Sequence, residues 1–142
     1  MLARQELERV APSREHADQL LRQSRDHLDA VEAVDEIDAV GAYQLMYEAA
    51  RKALTAVLAN EGLRPTTAGG HRAAYEATLA QLHPPLGAIL RPFDRMRRRR
   101  NDAAYPSPET PPFDTDHVQR DLPKVRQIVD LAGKVVDEMG PY

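Results

Sequence analysis

Apolar residues recur at helical spacing along most of the chain. Ala17, Leu20, Leu21, Leu28 and Val31 share one face with Ser24, and Arg14, Asp18, Arg22, Arg25 and Asp29 take the other. Ser13 stands where an N-cap belongs, so the spacing predicts a first helix from there. Residues 1–12 are polar and end at Pro12; they read as a flexible arm or a short extra helical turn. Residues 13–142 read as one helical domain. Asp35 or Asp38 opens a second helix, running to about Asn60 and stopped by Gly62. This helix is apolar on two sides. Val40, Tyr43, Tyr47, Ala50, Leu54 and Val57 make one stripe, and Ala42, Leu45, Met46, Ala49, Ala53 and Ala56 a second. Such a helix lies at the centre of a bundle or against another chain. Glu48 and Lys52 are spaced as an i,i+4 ion pair on its polar strip.

Pro65, Gly69 and Gly70 mark a loop over 62–70, and a third helix is expected over roughly 71–82, broken by His83-Pro84-Pro85. Leu86 to Leu90 can add a turn. Pro92 suits the first turn of a further helix, which Tyr105-Pro106 ends. Thr115 or Asp116 is expected to cap the last helix, whose apolar face runs from Val118 to Val136 and which Pro123 should bend. No segment shows strand periodicity. The fold class is all-α, an up-down bundle of four to five helices.

The helix between Pro92 and Tyr105 contains Arg95-Met96-Arg97-Arg98-Arg99-Arg100-Asn101-Asp102. With about 3.6 residues per turn, and Phe93 facing the core, Arg95, Arg98 and Asp102 lie roughly 140–200° away, toward water. Arg100 returns to within about 20° of Phe93. One arginine of the run therefore lies beside the apolar stripe, where an unpaired guanidinium is costly. The rest are explained as helix surface, with Asp94 and Asp102 placed to support Arg98 at i,i+4.

Composition narrows the chemistry. The net charge is −3, so any attraction to nucleic acid comes from local patches and not from bulk charge. There is no cysteine, which excludes disulfides, thiolate metal sites and a cysteine nucleophile. His16, His27, His71, His83 and His117 show no i,i+3 or i,i+4 pair, so no metal site and no cofactor is expected. Gly69-Gly70 lacks the spacing and preceding strand of a phosphate loop. No apolar run approaches the roughly 20 residues that span a bilayer, and Met1 to Glu6 has no apolar signal core. The expectation is a cytoplasmic protein with no membrane partner.

Ala42-Tyr43-Gln44-Leu45-Met46-Tyr47-Glu48-Ala49-Ala50-Arg51-Lys52, Glu61 to Arg72, and Phe93 to Tyr105 occur in an order that resembles the HEPN domains of prokaryotic toxin–antitoxin and defence systems. The resemblance runs from about Ala42 to Met139. That family's signature is an arginine, commonly followed by a polar residue, with a histidine four to six positions on. Arg100-Asn101 matches the front of the motif, and Tyr105 occupies the histidine position. The resemblance implies a homodimer that brings two motifs together, with Arg100, Asn101 and Tyr105 as site residues and Arg97, Arg98, Arg99 and Arg100 toward RNA. Arginine offers a bidentate fork for phosphate. A metal-independent ribonuclease also needs a base for the 2′-OH. Histidine titrates near neutrality, whereas tyrosine, with a reference pKa of about 10, is ionised only on the order of 0.1 % at pH 7. The expected activity is therefore RNA contact with cleavage weak or lost, unless His71, His83 or His117 completes the site. Two other readings stand beside it. One is a non-catalytic interaction module for an antitoxin or nucleotidyltransferase partner, in which Arg100 pairs with an acid such as Glu48 or Asp102. The other is a small-molecule-binding bundle.

Overall fold

The computed structural model describes residues 7–65, 78, 92–109 and 112–139. Among them are four helices and one short two-stranded ribbon: β1 (Leu7–Arg9), α1 (Arg14–Val34), α2 (Ala39–Asn60), β2 (Leu63–Pro65), α3 (Pro92–Ala104) and α4 (Thr115–Met139). The architecture is an all-α bundle, as the periodicity predicts. The expected helix over 71–82 and the turns to Leu90 lie outside the described residues, apart from Thr78.

The capping chemistry sets the ends of α1 and α2. The Ser13 hydroxyl accepts from the His16 amide at 3.0 Å, and Asp38 accepts from Gly41 N at 2.9 Å. Gly62 stops α2 in a left-handed conformation at φ 80°. The last helix is capped one residue earlier than the sequence suggests: the Asp114 carboxylate accepts from Asp116 N at 3.0 Å. Thr115 instead donates its hydroxyl to Asp35 O at 2.9 Å, tying the start of α4 to the α1–α2 turn.

The helix α2 is the centre of the bundle, which resolves its two apolar stripes. Tyr43, Met46, Tyr47 and the alanines at 42, 49, 50, 53 and 56 have no exposed surface. Ser13 N bonds Ala59 O at one end of α1, and Ser24 Oγ bonds Ala49 O at 2.9 Å midway, so α1 and α2 run antiparallel. The same hydroxyl also donates to Leu20 O, which satisfies a polar group buried among alanines. Arg14 reaches Val136 O and Asp137 at the far end of α4, so α4 is antiparallel to α1 as well. Val118, Val125, Ile128, Val129, Ala132 and Val136 pack inward from α4.

Two details differ from expectation. Residues 7–9 are not loose and not helical. They pair antiparallel with β2, Leu7 opposite Pro65, Glu8 opposite Arg64 and Arg9 opposite Leu63, with an ion pair between Glu8 and Arg64. The Gly62 turn presents its carbonyl beside the entering chain, and Val10 N–H donates to Gly62 O at 2.9 Å. On α2, Glu48 pairs with Arg51 at 2.7 Å, while Lys52 turns to Gln23 Oε1 and His27 Nε2, both at 2.9 Å. The facing helix α1 offers Lys52 two acceptors, which outcompete a solvent-screened i,i+4 pair.

Candidate functional site

The helix α3 packs on α2 through Phe93 and Met96, which are fully buried, and Ala103. The rings of Phe93 and Tyr47 stack at 5.1 Å with 4° between planes. This contact fixes how α3 is rotated, and the rotation decides what each arginine does.

Arg95, Arg98 and Asp102 face solvent, as the helical geometry requires. Asp94 holds two neighbours, Arg97 at 3.0 Å and Arg98 at 2.8 Å. The Arg97 bond, helped by Arg98, keeps the Asp94 carboxyl below its ordinary range. Arg100 turns inward. Its guanidinium lies over the Tyr47 ring, 4.7 Å from the centroid, so its partner is an aromatic face. No carboxylate pairs with Arg100 among the described residues, neither Glu48 nor Asp102. Its Nε is buried and has no hydrogen-bond partner. Burial pushes the Tyr47 hydroxyl up to about 12 against the opposing charges of Arg100 and Arg97, so that ring stays neutral and is no base at physiological pH.

Asn101 is half-buried beside Arg100. Tyr105 lies just past the helix, its amide bonded to Asn101 O at 2.9 Å and its side chain 80 % exposed. No hydrogen bond or cation–ring contact joins Tyr105 to Arg100 among the described residues. His117 is engaged elsewhere, stacked on Phe113 at 4.7 Å and bonded to Asp114 at 3.0 Å. His71 and His83 lie outside the described residues.

Arg99, which the resemblance places with the RNA-facing arginines, is bound to Asp121 Oδ2 at 2.5 Å. Asp121 is 1 % exposed and also accepts from the Tyr43 hydroxyl at 2.6 Å and from Lys124 at 3.2 Å. Burial pushes this carboxyl up, but Tyr43, Arg99 and Lys124 outweigh it and hold it below its ordinary range. Burial and the bond to Asp121 drive the Tyr43 hydroxyl far above its ordinary value. This cluster ties α2, α3 and α4 together at one point. A signal for it existed: Asp121 falls three after Val118 and four before Val125, a carboxylate on an apolar stripe.

No group of histidines and carboxylates among the described residues is arranged to hold a metal ion. No described helix is long and apolar enough to cross a membrane. No protein-family model, no curated protein and no solved structure matches this chain.

Proposed function

We propose that this chain is a HEPN-like, RNA-directed cytoplasmic protein of a toxin–antitoxin or defence type. It contacts RNA phosphates through Arg100 and Asn101 at a cleft between two copies, and its ribonuclease activity is weak or lost. The observation that carries this reading is the way Arg100 is held. A guanidinium seated on an aromatic face keeps its plane fixed while no carboxylate uses up its fork. Such a group is ready to meet an external anion with its terminal N–H groups. The attenuated cleavage follows from what surrounds it. Tyr47 is neutral, Tyr105 stands in solvent, and His117 is held by Phe113 and Asp114.

The test is a titration with single-stranded RNA at graded salt, comparing the protein with Arg100→Ala. A lost charged hydrogen bond of about 1.5–3 kcal/mol corresponds to roughly 10–150-fold weaker binding. Unchanged affinity in Arg100→Ala would overturn the reading. Incubation with EDTA should give at most slow appearance of cyclic-phosphate ends.

The exposure of Tyr105 favours a second reading, the interaction module. In it, the phenol is a handle for an antitoxin or a nucleotidyltransferase partner. A nucleotide-sized mass increase on Tyr105, with no RNA affinity, selects this reading over the first.

A further inference from the structure

Beside the Asp121 cluster, α3 and α4 leave a small, open cleft lined by Pro92, Arg95, Met96, Arg99, Asp121 and Lys124. Its walls are basic and its floor is a carboxylate already in use. Asp121 spends Oδ2 on Tyr43 and Arg99 and Oδ1 on Lys124. What it leaves open are donors: one guanidinium and one ammonium have several N–H groups each, and one contact to Asp121 does not exhaust them. Arg99 and Lys124 keep 35 % and 41 % of their side-chain surface exposed. Arg95, one turn before Arg99 on the same flank, is exposed and has no ion-pair or hydrogen-bond partner among the described residues.

We infer that this cleft is a binding site for a phosphate monoester dianion, gripped by Arg95 and Arg99 from α3 and by Lys124 from α4. Three cations less one carboxylate leave two positive charges, which match a dianion better than a singly charged diester. Two guanidinium forks and an ammonium converging from two helices suit a tetrahedral oxyanion with three free oxygens. Asp121 acts as the positioning residue: it cannot touch the ligand favourably, but it fixes the two cations that do. The Tyr43 hydroxyl in turn fixes Asp121. The cleft lies on a different flank of α3 from Arg100, because Arg99 and Arg100 point about 100° apart and Arg100 faces Tyr47.

The experiment is an NMR titration of the intact chain with inorganic phosphate, exchanged against chloride at constant ionic strength. A saturable shift of the amides of Arg95, Arg99 and Lys124 is expected, with Arg95→Gln and Lys124→Gln each weakening binding about tenfold. Arg95 is exposed, so Arg95→Gln keeps the fold and tests the ligand role alone. A parallel arm uses a nucleoside 5′-monophosphate and RNA with a 5′-phosphate or a 5′-hydroxyl. Equal affinity for phosphate and the monophosphate assigns the site to the phosphoryl group alone. Tighter binding of 5′-phosphorylated than of 5′-hydroxyl RNA, lost in Arg95→Gln, assigns it to a strand end. A response that rises linearly without saturating, or wild-type affinity in both variants, overturns the proposal.

Discussion

Asp121→Asn is the most informative single change, because it keeps the shape of the side chain and removes only its charge and one acceptor. In the native chain the carboxylate accepts from Tyr43 at 2.6 Å, Arg99 at 2.5 Å and Lys124 at 3.2 Å. Removing one partner of a fully buried ion pair costs about 3–5 kcal/mol. That figure is an upper bound here, because the Arg99 and Lys124 side chains are 35 % and 41 % exposed and can turn to water. The Tyr43 hydroxyl cannot, and its bond to a charged acceptor is worth about 1.5–3 kcal/mol. The sum of a damaged Tyr43 bond and two partly solvated cations is about 2–4 kcal/mol. Set against a total stability on the order of 5–15 kcal/mol, that lowers the melting temperature by roughly 5–15 °C. Urea denaturation at pH 7 reads it directly, as a lower midpoint at unchanged slope. The pH dependence has a definite sign. The folded-state carboxyl of Asp121 is a stronger acid than the unfolded one, so its ionised form favours folding. Its contribution is complete above the unfolded value of about 4 and fades as pH falls through the lower folded value. The stability gap between the protein and Asp121→Asn should therefore be flat from pH 5 to 8 and close only below about pH 4. Equal stability at pH 7, or a gap already closed at pH 6, would refute the account of Asp121 as the charged tie between three helices.

Other expectations follow from single contacts. In Gly62→Ala, a Cβ would stand 2.8 Å from Val10 O at a φ of +80°, so the change should cost at least roughly 1–2 kcal/mol and remove the exchange protection of the Val10 amide. Retained protection at wild-type stability would show that β1 does not depend on this turn. The His27 imidazole is lowered from its ordinary value, first by burial and then by the charge of Lys52. The unfolded state thus binds its proton more readily, and this residue makes stability fall as pH drops below about 6.5. An NMR titration should place its midpoint under that value and move it upward in Lys52→Met, and a midpoint above 6.5 would contradict the contact.

The helices were legible because burial and periodicity coincide in them. In α1 and α4 one face is apolar and the other charged, and Ser13, Asp38 and Gly62 punctuate the chain with the side chains or backbone freedom that helix ends need. The ribbon was not legible, since three residues are too few to show a period and their pairing is set by what the Gly62 turn brings beside them. The inward position of Arg100 was readable from helix geometry alone. Its partner was not, because Tyr47 is more than fifty residues away in sequence and looks like any other aromatic on an apolar stripe. The partner of Arg99 was not legible for a related reason. Helix angle separates buried from exposed, but a residue on the boundary is decided by the neighbouring element, here the carboxylate of Asp121 on α4.

The arginine run contains five guanidinium groups, yet the structure distributes them in a way that changes what salt should do to RNA binding. Arg97 and Arg98 share Asp94, and Arg99 is bound to buried Asp121. Arg95 and Arg100 are the two with no carboxylate partner among the described residues. For single-stranded nucleic acid the logarithm of affinity falls with the logarithm of salt by about 0.7 for each phosphate neutralised. Five engaged arginines would give a slope of roughly −3.5 per chain, and two give roughly −1.4. The ion pairs to Asp94 are solvent-screened and worth little, so they can exchange for phosphate. The Arg99 pair cannot, since leaving Asp121 means stranding a buried carboxylate. The slope per chain is thus bounded between about −1.4 and −2.8, the upper figure being four arginines without Arg99. Within those bounds, Asp94→Asn should raise affinity and move the slope toward about −2.8, because it frees Arg97 and Arg98 without touching the anchor of α3. A slope of about −3.5 or steeper in the native chain would mean that Arg99 also meets an RNA phosphate, with its remaining N–H groups while it stays on Asp121 or by leaving Asp121 altogether.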